Sequence, residues 1–169
     1  MVRLKYTLGI DASNLRRGGG RTHLIELLKH ANPSKHGFLK IIVWGSNETL
    51  NLLHEKKWLI KINPKLLEKG LIQRTIWQKF ELDKEFIKQE CDILFIPGGI
   101  YTGKNKNFIT MNQNLLPFDW KEIKRYGLSA FSIKLIILRI MQSLTFKNSQ
   151  GLIFLSQHSK NLIENLIDI

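Results

Sequence analysis

The chain has 169 residues, 43% of them hydrophobic. That is enough for one domain with a core of its own and excludes a disordered tail. The single cysteine, Cys91, excludes an internal disulfide and a cysteine metal cluster and fits a reducing compartment. Lys and Arg outnumber Asp and Glu by 26 to 14, for a formal net charge of +12. Such a surface suits nucleic acid, anionic lipid or phosphorylated ligands. A chain rich in Lys, Asn and Ile also acquires that bias through composition alone, so charge does not choose among them.

Met1 to Lys5 carries no apolar stretch of the secretory kind and runs directly into an extended segment, Leu4 to Ala12. Asn14-Leu15-Arg16-Arg17-Gly18-Gly19-Gly20 follows, and Gly20 to Ala31 has helical periodicity, with Leu24, Leu27, Leu28 and Ala31 on one face. Three glycines let a ligand approach the backbone closely. The helix behind them aims free N–H groups and the positive end of its dipole at the loop, a site for phosphate or another anion. After the first strand of an α/β chain, the expected ligand is of nucleotide type. Arg16, Arg17 and Arg21 flank the glycines and could hold a diphosphate through forked hydrogen bonds; the competing reading is a solvated basic loop. His23, in the first helical turn, reads as a structural histidine with its nitrogens satisfied rather than as a ligand-facing group.

Asn32 to Gly37 is a turn, and Phe38 to Trp44 is a nearly continuous apolar run that suits a strand covered on both faces. Gly45-Ser46-Asn47 offers a cap for a helix over Thr49 to Leu53, and Trp58 to Ile62 reads as a short third strand. From Asn63-Pro64 to Glu90, the residues Leu67, Leu71, Ile72, Ile76, Phe80 and Phe86 recur at helical spacing. Cys91 to Ile96 is a buried strand stopped by Pro97-Gly98-Gly99, and Asn107 to Met111 is another. The polar stretch Asn112-Gln113-Asn114 follows, with amides suited to sugar hydroxyls or to holding a turn. Ser129 to Phe146 is strongly apolar and helical in spacing, and within it the stretch Ile133 to Met141 is apolar nearly all round. Lys134 and Arg139 interrupt it and it is too short to span a bilayer, so it reads as a buried core helix, with a membrane-surface helix as the alternative. Gly151 to Leu155 is the last strand, and Ser156 can cap the helix from Gln157 onward. That helix reaches Ile169 without a C-terminal cap, as if broken off mid-element.

Strands alternating with helices predict an α/β fold, a Rossmann-like parallel sheet with helices on both faces, over 1–169 as a single domain. Ligands of such sheets gather beyond the carboxyl ends of the strands. Those ends are Ser13 to Gly20, Gly45-Ser46, Pro97 to Gly99, Asn112 to Asn114 and Ser156-Gln157. A P-loop is excluded because no Lys-Ser or Lys-Thr follows the glycines. A dinucleotide fingerprint fails as well: His23 stands where the third glycine belongs, and the second strand ends without an acidic residue for a ribose. Five histidines without metal spacing predict no metal site. Neither zinc spacing nor an aromatic RNA-binding strand is present, so nucleic acid is not the expected partner. Trp44, Trp58, Trp77 and Trp120 read as core and rim aromatics rather than as a base-stacking platform.

In order along the chain, Gly9 to Arg16 with Gly18-Gly19-Gly20 and Thr22-His23-Leu24, then Asp92 to Gly99, then Asn114 to Phe118, then Leu152 to Ser156, the sequence resembles the N-terminal domain of a family-4-type glycosyltransferase. Such enzymes pair two Rossmann-like domains in the GT-B architecture. The resemblance implies a retaining transfer of sugar from a nucleotide-sugar donor to a glycan or lipid-linked acceptor, in cell-surface polysaccharide synthesis, with no cofactor or metal. It puts Gly18, Gly19, Gly20 and Arg21 near the donor diphosphate and Asn112, Gln113, Asn114 and Ser156 near acceptor or sugar. Many members have a histidine where Gln113 stands here. Glutamine can hydrogen-bond a sugar but cannot act as acid or base, so the catalytic residues stay unassigned. The donor-binding domain with its E-x7-E pattern is absent from the sequence; the chain corresponds to about half of such an enzyme and is expected to be inactive unless that domain acts in trans. The resemblance and the charge together imply a cytoplasmic protein, peripheral to the inner membrane face through its anionic lipid. The alternative is a non-catalytic Rossmann-like module that binds an anionic ligand or a partner protein.

Overall fold

The computed structural model describes residues 5–167. The expected strand start at Leu4 and the uncapped end at Ile169 lie outside them. Six strands form one parallel sheet: β1 (Tyr6–Asp11), β2 (Phe38–Trp44), β3 (Leu59–Ile62), β4 (Ile93–Ile96), β5 (Phe108–Asn112) and β6 (Gly151–Phe154). Their spatial order is β3-β2-β1-β4-β5-β6, the order of a doubly wound, Rossmann-like α/β fold. The chain leaves β1 toward β2 on one side and later returns to β4 on the other, so the switch point lies between the ends of β1 and β4.

Strand alternation divides the interior into two layers. On one face Ile10 of β1 and Ala12 just beyond it, Ile41 and Val43 of β2, Phe95 and Met111 pack against Leu24 and Leu28 of α1 (Gly19–His30) and Leu50 of α2 (Asn47–Leu50). On the other, Ile42, Trp44, Leu94, Ile96 and Phe108 meet Trp77 of α3 (Leu71–Phe80) and Leu82 and Phe86 of α4 (Leu82–Lys88). Gly9 is required where it stands, because a Cβ there would lie 2.7 Å from Cζ3 of the fully buried Trp44. Beyond β5 come α5 (Trp120–Arg125), α6 (Ala130–Asn148) and, after β6, α7 (Gln157–Ile167). Phe118, Phe146 and Ile163 form a smaller core there.

Four expectations need correction. In α1, Leu24 and Leu28 are buried, but Leu27 is exposed and Ala31 is only half-buried, so the core-facing stripe is narrower than the periodicity implied. The helix after β2 is a single turn, and the Ser46 hydroxyl that precedes it makes no capping bond and is buried without a partner among the described residues. The segment to Glu90 is helical, yet Leu71, Ile72, Ile76 and Phe80 face solvent; Leu67, Trp77, Gln78, Leu82 and Phe86 are the buried set. Finally, α6 is no core helix, since much of its apolar surface is exposed. Among the described residues no helix is long and apolar enough to cross a membrane.

Candidate functional site

The glycine corner forms as the sequence predicts. β1 ends at Asp11, and Ser13 N–H donates to the Asp11 carboxylate at 2.9 Å, which turns the chain at the strand tip. Gly18 has a φ of 77°, a left-handed conformation that favours glycine, and serves as N-cap of α1. Among the described residues no side-chain hydrogen bond caps this helix, and no acidic residue stands in its first turn. The amides of Gly19 and Gly20 thus face outward at the positive end of a three-turn dipole, without a carboxylate of their own.

Folding brings one distant residue onto this corner. Gln113, just past β5, lays its side chain against Gly20, so that a Cβ on Gly20 would lie 2.7 Å from Gln113 Oε1. Its Nε2 is 3.4 Å from Met111 Sδ. Asn112 and Asn114 do not share this orientation. Asn112 is buried and donates to the Asn114 carbonyl at 3.2 Å, and Asn114 Oδ1 accepts from Leu116 N–H at 3.0 Å. Both amides hold the turn. Ser156 is more remote, since β6 lies three strands from β1, about 14 Å at ordinary strand spacing. Its hydroxyl accepts from Ser159 N–H at 3.1 Å, while Ser159 Oγ accepts from Ser156 N–H at 3.2 Å; this reciprocal pair caps α7.

The three arginines have separate roles. Arg16 donates to the Leu67 carbonyl and is anchored inside the fold. Arg21 reaches Glu48 Oε1 at 3.2 Å and Arg17 the same oxygen at 3.7 Å. Arg17 is almost fully solvent-exposed and Arg21 only partly so. One carboxylate thus tethers two guanidiniums beside the glycines and leaves a net positive charge there. His23 departs from the expected satisfied state: its Nε2 is buried and finds no partner among the described residues.

A buried polar network that the sequence reading missed lies at the switch point. Asp11 accepts from Gln78 Nε2, which also donates to the Ile100 carbonyl at 3.0 Å; Thr102 Oγ1 donates to Gln78 Oε1 at 3.0 Å. Arg74 donates to the Ser13 carbonyl at 3.1 Å. Burial pushes the Asp11 carboxyl above the ordinary aspartate range, against the opposing effect of the hydrogen bonds from Gln78 and Ser13. The sequence signals were an aspartate at the tip of an apolar strand and a glutamine among apolar neighbours in α3. Above this network a groove of about 620 Å³ opens between α3 and α6, with Asn14 and Gly98 at the strand tips and Leu71, Ile133, Ile137 and Met141 along its walls. Among the described residues no group of three or more His, Cys, Asp or Glu side chains is placed to hold a metal ion.

No family model, no curated protein and no solved structure matches the chain.

Proposed function

We propose that this chain is the acceptor-side domain of a nucleotide-sugar-dependent glycosyltransferase, in which Gly18 to Gly20 receive the donor diphosphate. The observation that carries the reading is the contact of Gln113 with Gly20. It joins the loop after β5 to the glycine corner after β1, so one ligand can touch an anion-binding helix terminus and a sugar-binding amide together. Arg21, tethered by Glu48, adds positive charge beside the phosphates. In the complete enzyme, the amides and the α1 dipole stabilise charge that develops on the leaving diphosphate while a glycan or lipid-linked acceptor attacks the sugar. One preorganised donor of this kind supplies on the order of 3 kcal/mol in the transition state. The partner domain grips the donor from the other side, either in the same polypeptide or in trans, and the enzyme works in the cytoplasm at the inner membrane face. The reaction needs no metal or organic cofactor on this side of the site.

Gly19→Asp is the discriminating variant. A Cβ on Gly19 meets nothing within 4 Å, and its φ is not left-handed, so the fold accepts the change. The new carboxylate occupies the helix terminus and repels the diphosphate. In the protein purified from its source cells, nucleoside diphosphate release from a panel of nucleotide sugars should fall about 100-fold or more. Unchanged turnover would contradict the phosphate role.

A second reading is favoured by one feature. Gln113 cannot transfer a proton, and the buried carboxylate at the switch point, Asp11, already accepts from Gln78 and Ser13. A module that holds an anionic ligand without catalysis would need nothing more. Binding of a phosphorylated small molecule by this chain alone, with no turnover in any assembly, would select that reading.

A further inference from the structure

We propose that the outer face of α6, together with the adjoining side of α3, docks on an anionic lipid bilayer. This surface deepens the placement at the inner membrane face proposed above, and vesicle binding is read separately from the diphosphate role of the glycine corner. The inward side of α6 mixes Leu135 and Phe146 with Ser132, Gln142 and Thr145, all buried, whereas Ile133, Ile137, Ile140 and Leu144 are exposed at 61%, 51%, 55% and 58%. These four positions recur at intervals of three and four residues and form a stripe along a helix about 28 Å long. Across the groove, Leu71, Ile72 and Ile76 of α3 are exposed too, and Leu128 stands fully exposed just before α6. A contiguous apolar surface of this kind marks an interaction site.

Charge selects the occupant. Neither α3 nor α6 contains an acidic residue, whereas Arg74, Lys79, Lys134, Arg139 and Lys147 lie on them. The ion pairs of the described residues lie elsewhere, on α1, α2, β3, α4, α5 and α7, in the β1–α1 and α2–β3 loops and at Glu81 between α3 and α4, and leave Lys79, Lys134 and Lys147 without carboxylate partners. A second copy joined through a two-fold axis would bring two such faces together and oppose cation to cation with no acid between them. An anionic bilayer supplies both missing partners: acyl boundary for the isoleucines and phosphate headgroups for the lysines. The stripe lies in the interface plane rather than across it, because Lys134 and Arg139 interrupt the helix.

Sedimentation with vesicles tests this. The chain should partition about tenfold or more into phosphatidylcholine–phosphatidylglycerol vesicles over phosphatidylcholine alone. The double variant Ile133→Asp/Ile137→Asp should lose that binding by a similar factor with its thermal midpoint unchanged, since both side chains are exposed. Lys134→Gln/Lys147→Gln should weaken binding less and reduce its salt dependence. Vesicle binding that ignores the isoleucine substitutions would overturn the proposal in favour of diffuse surface charge. A concentration-dependent dimer, abolished by Ile133→Asp/Ile137→Asp and indifferent to vesicles, would overturn it in favour of a second copy. Absence of vesicle binding would overturn it outright.

Discussion

The three loop glycines differ at the level of the single residue. Gly18 needs its left-handed φ, Gly20 needs room for Gln113, and Gly19 needs neither. Aspartate at Gly19 starts α1 with a negative charge and should raise folding stability by about 0.3–1 kcal/mol while it abolishes diphosphate binding. Opposite signs in urea unfolding and in ligand binding would separate the ligand role from a structural one. Asp11 yields a pH prediction. Burial raises its folded-state pKa, so the native state holds this proton more tightly than the unfolded chain does. Its contribution is full below the ordinary aspartate range and is lost as pH rises through the raised value. Asp11→Asn should therefore flatten the decline in stability upward from about pH 4, measured by urea midpoints of both proteins across that range. Parallel curves would contradict the assignment. The glycines were legible because a loop after an apolar strand is a local signal. The Gln113–Gly20 contact and the Asp11–Gln78 pair were not, since each joins residues far apart in sequence.

Among the elements, periodicity located strands better than it located surfaces. Phe38–Trp44 was read to the residue, because a doubly covered parallel strand is apolar throughout. In α3 and α6 the same apolar content misled, since spacing reports that a face is apolar and not what lies opposite it. The polar residues Ser132 and Thr145 turn inward because the fold provides partners: Ser132 Oγ donates to the Gly127 carbonyl at 2.7 Å, and Thr145 Oγ1 accepts from Tyr101 N–H at 3.0 Å, whereas the equally buried Gln142 Oε1 has no partner among the described residues. Gly9 of β1 is the most demanding strand position. A methyl there collides with the Trp44 ring in a strand paired on both sides, so Gly9→Ala should cost about 1–3 kcal/mol of folding stability. Pairing it with Trp44→Leu should restore part of that loss in a double-mutant cycle. An unaltered melting temperature for Gly9→Ala would show that the ring has another place to go.

For the whole molecule, the sheet order places the glycine corner, Gln113 and the α3–α6 groove at one end of one domain. A net charge of +12 attracts anions to the molecule without choosing among them, and backbone geometry at the corner supplies the choice. The overall α/β class was readable because helices and strands alternate, whereas the exposed apolar stripe of α6 needed three dimensions. The most direct test follows the backbone amides of the ¹⁵N-labelled protein during titration with a nucleoside diphosphate and with the corresponding nucleotide sugar. The account predicts saturable shifts at Gly18, Gly19, Gly20 and Arg21, extending to the Gln113 side chain only with the nucleotide sugar, and lost in Gly19→Asp. Shifts scattered over the lysine surface, with the glycine amides unmoved, would contradict it.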